Sequence, residues 1–224
     1  RTLHKNKHTL TTYIHTNIFI YDTVFFDNSR KPLSAAVGVV EPYLQVIAGS
    51  ANIDISSNTV TNQYRDNFPS VGLSGIKILN GGKWYYELEL LQTYNSAYRG
   101  FAGAIGWVDD DFKVSDPKTY GVGDDEHSFA YDLGRRGTYN GINTFKSCGP
   151  NEDKYQWKRG DRIGCYLDMD TRKIEFRING EYWGNAFENF KISGAIHPAV
   201  SLCSKQKFQF HFITSEWKYA PEDG

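Results

Sequence analysis

The sequence lacks the features that mark helical bundles and membrane proteins. One Met occurs among 224 residues, and nowhere do apolar residues keep a helical period for three turns. No run approaches the roughly 20 apolar residues of a membrane span. The polar opening RTLHKNKHTL also lacks the apolar centre of a signal peptide. We therefore expect a non-helical protein that has no membrane partner.

Cysteine and net charge are also low. The three cysteines, Cys148, Cys165 and Cys203, are odd in number and far apart, which predicts packed thiols in a reducing compartment. An intracellular location, in the cytoplasm or the nucleus, is therefore expected. The formal net charge of −1 provides no overall field that would attract nucleic acid. The first residue, Arg1, indicates a segment of a longer protein.

Alternation of apolar and polar residues is most regular between residues 161 and 184 and predicts three antiparallel strands. The apolar positions of the first two strands are Ile163, Cys165, Leu167, Ile174, Phe176 and Ile178. This period of two gives each strand one apolar face. A polar reversal at residues 170–173 joins the two strands. Asn179-Gly180 then suits a two-residue type I′ hairpin, in which both central residues need positive φ.

Shorter runs of the same kind extend over most of the chain. One strand is predicted at residues 17–26, and two short segments within residues 44–63 are divided at Gly49 and at residues 56–58. Two further strands have apolar faces, which carry Trp84, Tyr86, Leu88 and Leu90 in one case and Phe208, Phe210 and Phe212 in the other. Many short strands without a βαβ rhythm predict an all-β, two-sheet antiparallel sandwich with its function in the end loops.

Five segments of this chain resemble, in order, the motifs of the SPRY domain family. They are GGKWYYELEL, GFAGAIGWV, GVGDDEHSFAYDLGR, WKRGDRIGCYLDMDTRKIEFRINGEYWGNAF and HPAVSL. Each motif alone carries little information, but their fixed order within residues 50–220 is specific. YDLGR and LDMD are similar to SPRY domains of SOCS-box receptors, and GVGDDEHSFAYD and GNAFENF to those of RING-type ubiquitin ligases and ryanodine receptors. The chain lacks the Leu-Asp-Pro entry motif and carries HFI in place of Asn-Phe-Gly.

The resemblance implies a bent β-sandwich of the concanavalin A-like jelly-roll type. It divides the chain into a polar extension or linker at residues 1–20, a SPRY-type domain at residues 21–220 with its core at 50–220, and a tail at residues 221–224. Such a domain would be a non-catalytic, monomeric adaptor within a larger protein and would need no cofactor. It would recognise a peptide or protein surface, for instance as the substrate-recognition component of a ubiquitin ligase.

The resemblance also places a partner-binding surface on three loops. Matched residue by residue, the positions that hold a peptide in SOCS-box SPRY domains fall at or near Tyr98, Arg99, Gly100, Tyr120, Cys203 and Ser204. Cys203-Ser204 stands where those receptors carry Trp-Gly, so a different peptide is expected. Aromatic and arginine side chains in loops are typical interface anchors.

Two other functions stay open. Glu87 and Glu89 share one strand face about 7 Å apart, a separation that suits a carbohydrate-binding or glycan-cleaving sandwich. Alternation with Leu88 inward instead favours two solvated or paired carboxylates. Alternatively, the domain could be an intramolecular structural module of a large channel-like assembly and contact only its own chain.

Metal binding is the last possibility that the sequence raises. The acidic runs at residues 109–111 and 124–126 offer oxygen ligands of the kind that Ca²⁺ prefers, but neither follows the spacing of an EF-hand loop. Solvated acidic turns are the favoured interpretation. The six histidines form no pair at metal-ligand spacing, and no CxxC occurs. We therefore expect no metal site and no catalytic residue.

Overall fold

The computed structural model describes residues 43–64, 68–74, 78–93, 103–134, 137–141, 146–147, 157–182 and 187–221. The strand predicted at residues 17–26 and the extension predicted at residues 1–20 lie outside these ranges. The helices within them are two single 3₁₀ turns, η1 (Ile55–Ser57) and η2 (Thr214–Glu216). In this part of the chain no helix is long and apolar enough to cross a membrane.

The described residues form fifteen strands. In chain order these are β1 (Tyr43–Ala48), β2 (Asn52–Asp54), β3 (Thr59–Thr61), β4 (Ser70–Ser74), β5 (Lys83–Gln92), β6 (Ala104–Asp109), β7 (Ser128–Asp132), β8 (Gly137–Tyr139), β9 (Lys146–Ser147), β10 (Arg162–Asp168), β11 (Lys173–Ile178), β12 (Glu181–Tyr182), β13 (Phe187–Glu188), β14 (Ile196–Ser201) and β15 (Lys207–His211). Sheet A has the spatial order β1-β4-β14-β6-β7-β8-β9. Sheet B has the order β12-β11-β10-β5-β15-β3-β2, and β13 also pairs with β11. The two antiparallel sheets form the predicted jelly-roll sandwich.

The pairing of β10 with β11 and the type of the turn after β11 are both confirmed. Strands β10 and β11 pair from Ile163 opposite Ile178 to Asp168 opposite Lys173. Asn179 and Gly180 follow with φ values of 51° and 85°, as a type I′ turn requires. The Asn179 side chain also accepts a hydrogen bond from the Arg162 N–H at 2.9 Å, which ties the turn to the start of β10.

The core lies between the inward faces of the two sheets. Strand β5 occupies the centre of sheet B, between β10 and β15. The predicted apolar faces contribute the buried side chains of Tyr86, Leu88, Leu90, Phe208, Phe210 and Phe212, whereas Trp84 is half-buried. Tyr86 meets Trp107 of sheet A edge-on, with 5.0 Å between the ring centroids. Aromatic pairs of this geometry join the two sheets.

The central strands of sheet A are buried on both faces. Its outer face carries the small buried residues Ala104, Val108, Ala130 and Ala199. Phe112 and Val122, from the connection between β6 and β7, pack over them. At Gly106 the backbones approach so closely that a Cβ atom would lie 1.9 Å from the carbonyl oxygen of Phe129. Burial on both faces explains why the sequence of β6 shows little alternation.

Residues 44–63 depart from the prediction in one respect. They form three strands, β1, β2 and β3, instead of two. The divisions fall as predicted, near Gly49 and at η1, where Asp54 accepts a hydrogen bond from the Ser56 N–H and Asn58 ends the turn with a φ of 50°. Strand β2 has three residues, which is too short for a periodic pattern to identify.

Candidate functional site

Several connections meet at the end of sheet A where β14 terminates. Ser201 closes β14 and pairs with Ala104, the first residue of β6, and with Ser70, the first residue of β4. Asp132, the last residue of β7, lies opposite Ala104 on the other side. We call this region the loop end and define it as residues 62–64, 68–70, 103, 120–122 and 201–206.

The Ser201 hydroxyl joins three of these connections. It lies 2.8 Å from the Ser70 hydroxyl and accepts a hydrogen bond from the Val122 N–H, also at 2.8 Å. A Cβ atom on Gly121 would lie 2.4 Å from this hydroxyl oxygen and 2.6 Å from the Phe68 ring. Glycine is therefore needed at position 121 for the connection after Tyr120 to reach the sheet.

The Gln206 side chain holds the connection between β14 and β15. It is buried, and its Oε1 atom accepts hydrogen bonds from the N–H groups of Gly103, at 3.1 Å, and Cys203, at 2.7 Å. Asn62 donates from its side chain to the Leu202 carbonyl at 3.1 Å. Because most of these partners are backbone groups, the paths of the loops are fixed where they leave the sheet.

We expect Gln206→Ala to lower the free energy of unfolding by about 2 kcal/mol, because it leaves two buried N–H groups without their acceptor. Urea denaturation followed by tryptophan fluorescence measures the loss. Gln209→Ala is the matched control, since Gln209 is half-buried and donates a single hydrogen bond, to the Ser57 carbonyl. Equal losses in the two variants would contradict the role assigned to Gln206.

Three of the six predicted partner-binding residues belong to the loop end. Tyr120 and Ser204 are half-buried there. The Cys203 side chain is 7% exposed, and burial raises the pKa of its thiol to about 12. Ser204 is thus the more accessible residue of that pair. The other three predicted residues are Tyr98, Arg99 and Gly100, which lie outside the described residues and stay predictions.

Tyr64 is an exposed aromatic residue of the loop end that sequence reasoning missed. Its side chain is 54% exposed, and the residue lies three positions after the end of β3. Its N–H donates to the Asn62 side chain at 3.0 Å, and Asn62 in turn binds the Leu202 carbonyl. The bond between Asn62 and Leu202 joins residues 140 positions apart, so no local pattern could have placed Tyr64 beside the predicted loops.

The acidic run at residues 109–111 builds a turn, as the sequence interpretation favoured, but the expectation that it is solvated is wrong for Asp109. Asp109 is buried and accepts hydrogen bonds from the Ser193 N–H at 2.8 Å and from His127 at 3.0 Å. The second of these bonds raises the pKa of the His127 imidazole. Asp110 accepts from the Ala195 N–H at 3.0 Å and lies 2.9 Å from His197. Within the described ranges, no group of three or more His, Cys, Asp or Glu residues could hold a metal ion.

Glu87 and Glu89 lie on the outer face of sheet B in different surroundings. Glu89 is 23% exposed and lies 2.7 Å from the Arg162 guanidinium. Glu87 is fully buried and accepts hydrogen bonds from Tyr85, Arg162 and two backbone N–H groups. Both carboxylates are therefore paired, which is one of the two outcomes that the alternation favoured, and Glu87 is buried as well. Because four donors surround Glu87, its carboxylate has no free position for attack on a glycan.

Several connections of this jelly-roll sandwich are thus held together at one end of sheet A. The SPRY domain family model matches residues 83–215, which is more than half of the chain. The chain therefore belongs to the SPRY domain family, whose members mediate protein interactions, are generally non-catalytic and occur within larger proteins.

Similar proteins agree with this assignment. The chain is 32% identical to the E3 ubiquitin-protein ligase RKP of Arabidopsis thaliana over 146 residues. This match covers 64% of the chain and 10% of that protein. The chain is also 37% identical to the dual specificity protein kinase splA of Dictyostelium discoideum over 101 residues, and this match covers 44% of the chain and 3% of the kinase. The chain thus spans a tenth or less of the length of either relative.

Two solved structures share the fold. The SPRY domain of human HERC1 superposes with a TM-score of 0.55 at 16% identity and covers 73% of this chain and 93% of its own. Another human SPRY domain has a TM-score of 0.53 at 21% identity and covers 72% of this chain and 94% of its own.

Proposed function

We propose that this domain recognises a peptide or protein surface through its loop end, as the partner-selecting module of a larger intracellular protein. The observation that carries the proposal is the pair of anchors, Ser201 and Gln206, which join separate connections into one surface. The contact residues that we assign are Tyr64, Tyr98, Arg99, Gly100, Tyr120, Cys203 and Ser204. Residues 21–220 would form the domain.

A fixed loop surface favours binding because little conformational entropy is lost when a partner is captured. Tyr64 and Tyr120 supply aromatic side chains of the kind that dominate interface energetics. A peptide could pair with the backbone groups of the loops and place one or two side chains between these tyrosines. Affinity would then depend on a few contacts, as is usual at interfaces.

The likeness to an E3 ubiquitin-protein ligase supports a role in selecting substrates for ubiquitination. The likeness to a protein kinase supports a more general role, in which the same domain type accompanies different catalytic units. We propose the first role for this chain, because that match covers the larger part of it.

The test is an affinity pull-down from cytosolic extract with the whole chain and with its Tyr64→Ala/Tyr120→Ala variant. We expect partners bound by the wild type to fall at least tenfold with the variant, since both aromatic anchors are removed. Tyr43→Ala is the matched control. Tyr43 is 41% exposed and pairs with Ser74, at the end of sheet A opposite the loop end.

Equal thermal stability of all three proteins must be shown first. Partners that the control also loses, or that the double variant keeps, would contradict binding at the loop end. If the wild type captures no partner, the proposal fails in favour of an intramolecular structural module.

A further inference from the structure

The last described segment of the chain crosses back over the outer face of sheet B. After β15 and η2, residues 216–219 lie along strand β5 on the side away from the core. We call this segment the strap. The sheet residues that receive it, Tyr85, Glu87, Arg162, Gly180 and His211, are called the Glu87 groove. This groove lies on a face of the sandwich, whereas the loop end lies at the end of the sandwich.

The Glu87 carboxylate is the main acceptor of the groove. One of its oxygens accepts from the Tyr219 N–H at 2.7 Å, and the other accepts from the Lys218 N–H at 2.9 Å. The Arg162 guanidinium, 3.2 Å away, balances the charge. One buried carboxylate therefore binds two consecutive backbone N–H groups, and hydrogen bonds to a charged acceptor are stronger than neutral ones.

The carbonyl groups of the strap are bound as well. The single O–H of Tyr85 is shared between the Tyr219 carbonyl, at 2.9 Å, and the Glu87 carboxylate, at 3.1 Å, and Arg162 donates to the Glu216 carbonyl at 3.3 Å. These contacts with the strap are made to its backbone groups and do not depend on which side chains the segment carries. They require a segment that bends, as the strap does at Lys218 and Tyr219, and that has no proline at these two positions.

Side-chain selectivity comes from Trp217 and Tyr219. The Trp217 indole donates to the His211 carbonyl at 3.1 Å, and its ring packs edge-on against Tyr85 with 4.8 Å between centroids. At Gly180 an added Cβ atom would lie 2.8 Å from the Tyr219 ring, so glycine makes room for that aromatic residue. Lys218 is exposed, and its position therefore accepts different side chains.

The strap has the bonding pattern of a bound peptide. It pairs with no strand, and η2 before it has three residues and no side-chain cap. We propose that the Glu87 groove is a second peptide-binding site, which the chain's own strap fills. In trans it takes a peptide that carries Trp, any residue but proline, and an aromatic residue, and that bends at the last two of these as the strap does.

A tethered segment competes at an effective concentration in the millimolar range or above. The wild-type chain should therefore bind such a peptide weakly, and loss of the strap's aromatic anchors should open the groove. The probe is a dye-labelled peptide of sequence ITSEWKYAP, which copies residues 213–221. Fluorescence anisotropy gives its Kd for the whole chain and for the Trp217→Ala/Tyr219→Ala variant.

We expect the double variant to bind the probe at least tenfold more tightly than the wild type does. Adding Glu87→Gln should weaken this binding at least tenfold, because the carboxamide offers one acceptor where the carboxylate offers two. Tyr182→Ala is the control. Tyr182 is exposed on β12 of the same sheet, and its loss should leave probe binding at the wild-type level.

A probe with N-methyl groups at the Lys218 and Tyr219 positions lacks both N–H donors. It should bind the double variant at least tenfold more weakly than the plain probe does. Equal affinity for the methylated and plain probes, or for the double variant and the wild type, would overturn the proposal.

Hydrogen exchange in the wild type tests the proposal without substitution. Millimolar unlabelled peptide should accelerate exchange at the Lys218 and Tyr219 amides, and unchanged exchange would also overturn it. A Tyr64→Ala/Tyr120→Ala variant separates this site from the loop end, because it should bind the probe like the wild type.

Discussion

Glu87→Ala is expected to lower the free energy of unfolding by about 3 kcal/mol, because several donors lose the buried carboxylate that they share as an acceptor. The N–H groups of Lys218 and Tyr219 would lose their acceptor, and the Arg162 guanidinium would keep only its ion pair with Glu89. Urea denaturation followed by tryptophan fluorescence measures the change. The midpoint should fall with little change in the slope of the transition.

Glu89→Ala is the matched control for this prediction. Glu89 lies two residues along the same strand and contacts the same arginine, but it is 23% exposed. Its loss should change the free energy of unfolding by about 1 kcal/mol or less, since solvent screens its ion pair. If both alanine variants lose the same amount, the burial of Glu87 is not the cause of its effect.

Gly106→Ala should cost about 3 kcal/mol or more, as a severe case of overpacking. The added Cβ atom would lie 1.9 Å from the carbonyl oxygen of Phe129 and 2.9 Å from the Cα atom of Ala130. Both atoms belong to the backbone of β7, so the methyl group fits only if two paired strands separate. Thermal unfolding measured by circular dichroism should show a much lower Tm than the wild type has.

Gly72→Ala is the control for the glycine substitution. Gly72 also lies within a strand of sheet A, but the nearest atom to an added Cβ is the end of the Ile47 side chain, at 2.4 Å. That side chain can rotate away, so we expect a loss of about 1 kcal/mol or less. A loss as large as that of Gly106→Ala would show that close approach between backbones is not what position 106 requires.

The pairing of β10, β11 and β12 could be predicted because its determinants are local. Alternation from Ile163 to Ile178 specifies one buried face, and Asn179-Gly180 specifies the turn between β11 and β12. The SPRY family could likewise be recognised from the sequence, because its motifs are short segments in a fixed order. Of the predicted site, Tyr120 and Ser204 lie together at the loop end.

Burial of the outer faces could not be predicted, because alternation shows which side chains share a face and not what covers it. Glu87 has the sequence pattern of a solvated strand residue, yet residues more than 130 positions later enclose it. The outer face of sheet A is a second example, since the connection between β6 and β7 covers Ala104 and Ala130. Tyr64 could be placed at the loop end only through the pairing of Asn62 with Leu202.

The anchoring of the loop end through Gln206 has a consequence for evolution and for engineering. Gln206 and Ser201 bind mainly main-chain atoms of the loops, so the residues between the anchor points can change while the loop paths stay the same. Substitutions at Ser204 or Tyr64 would then alter which molecules are captured without disturbing the fold. A library randomised at these positions could therefore direct one scaffold to many targets.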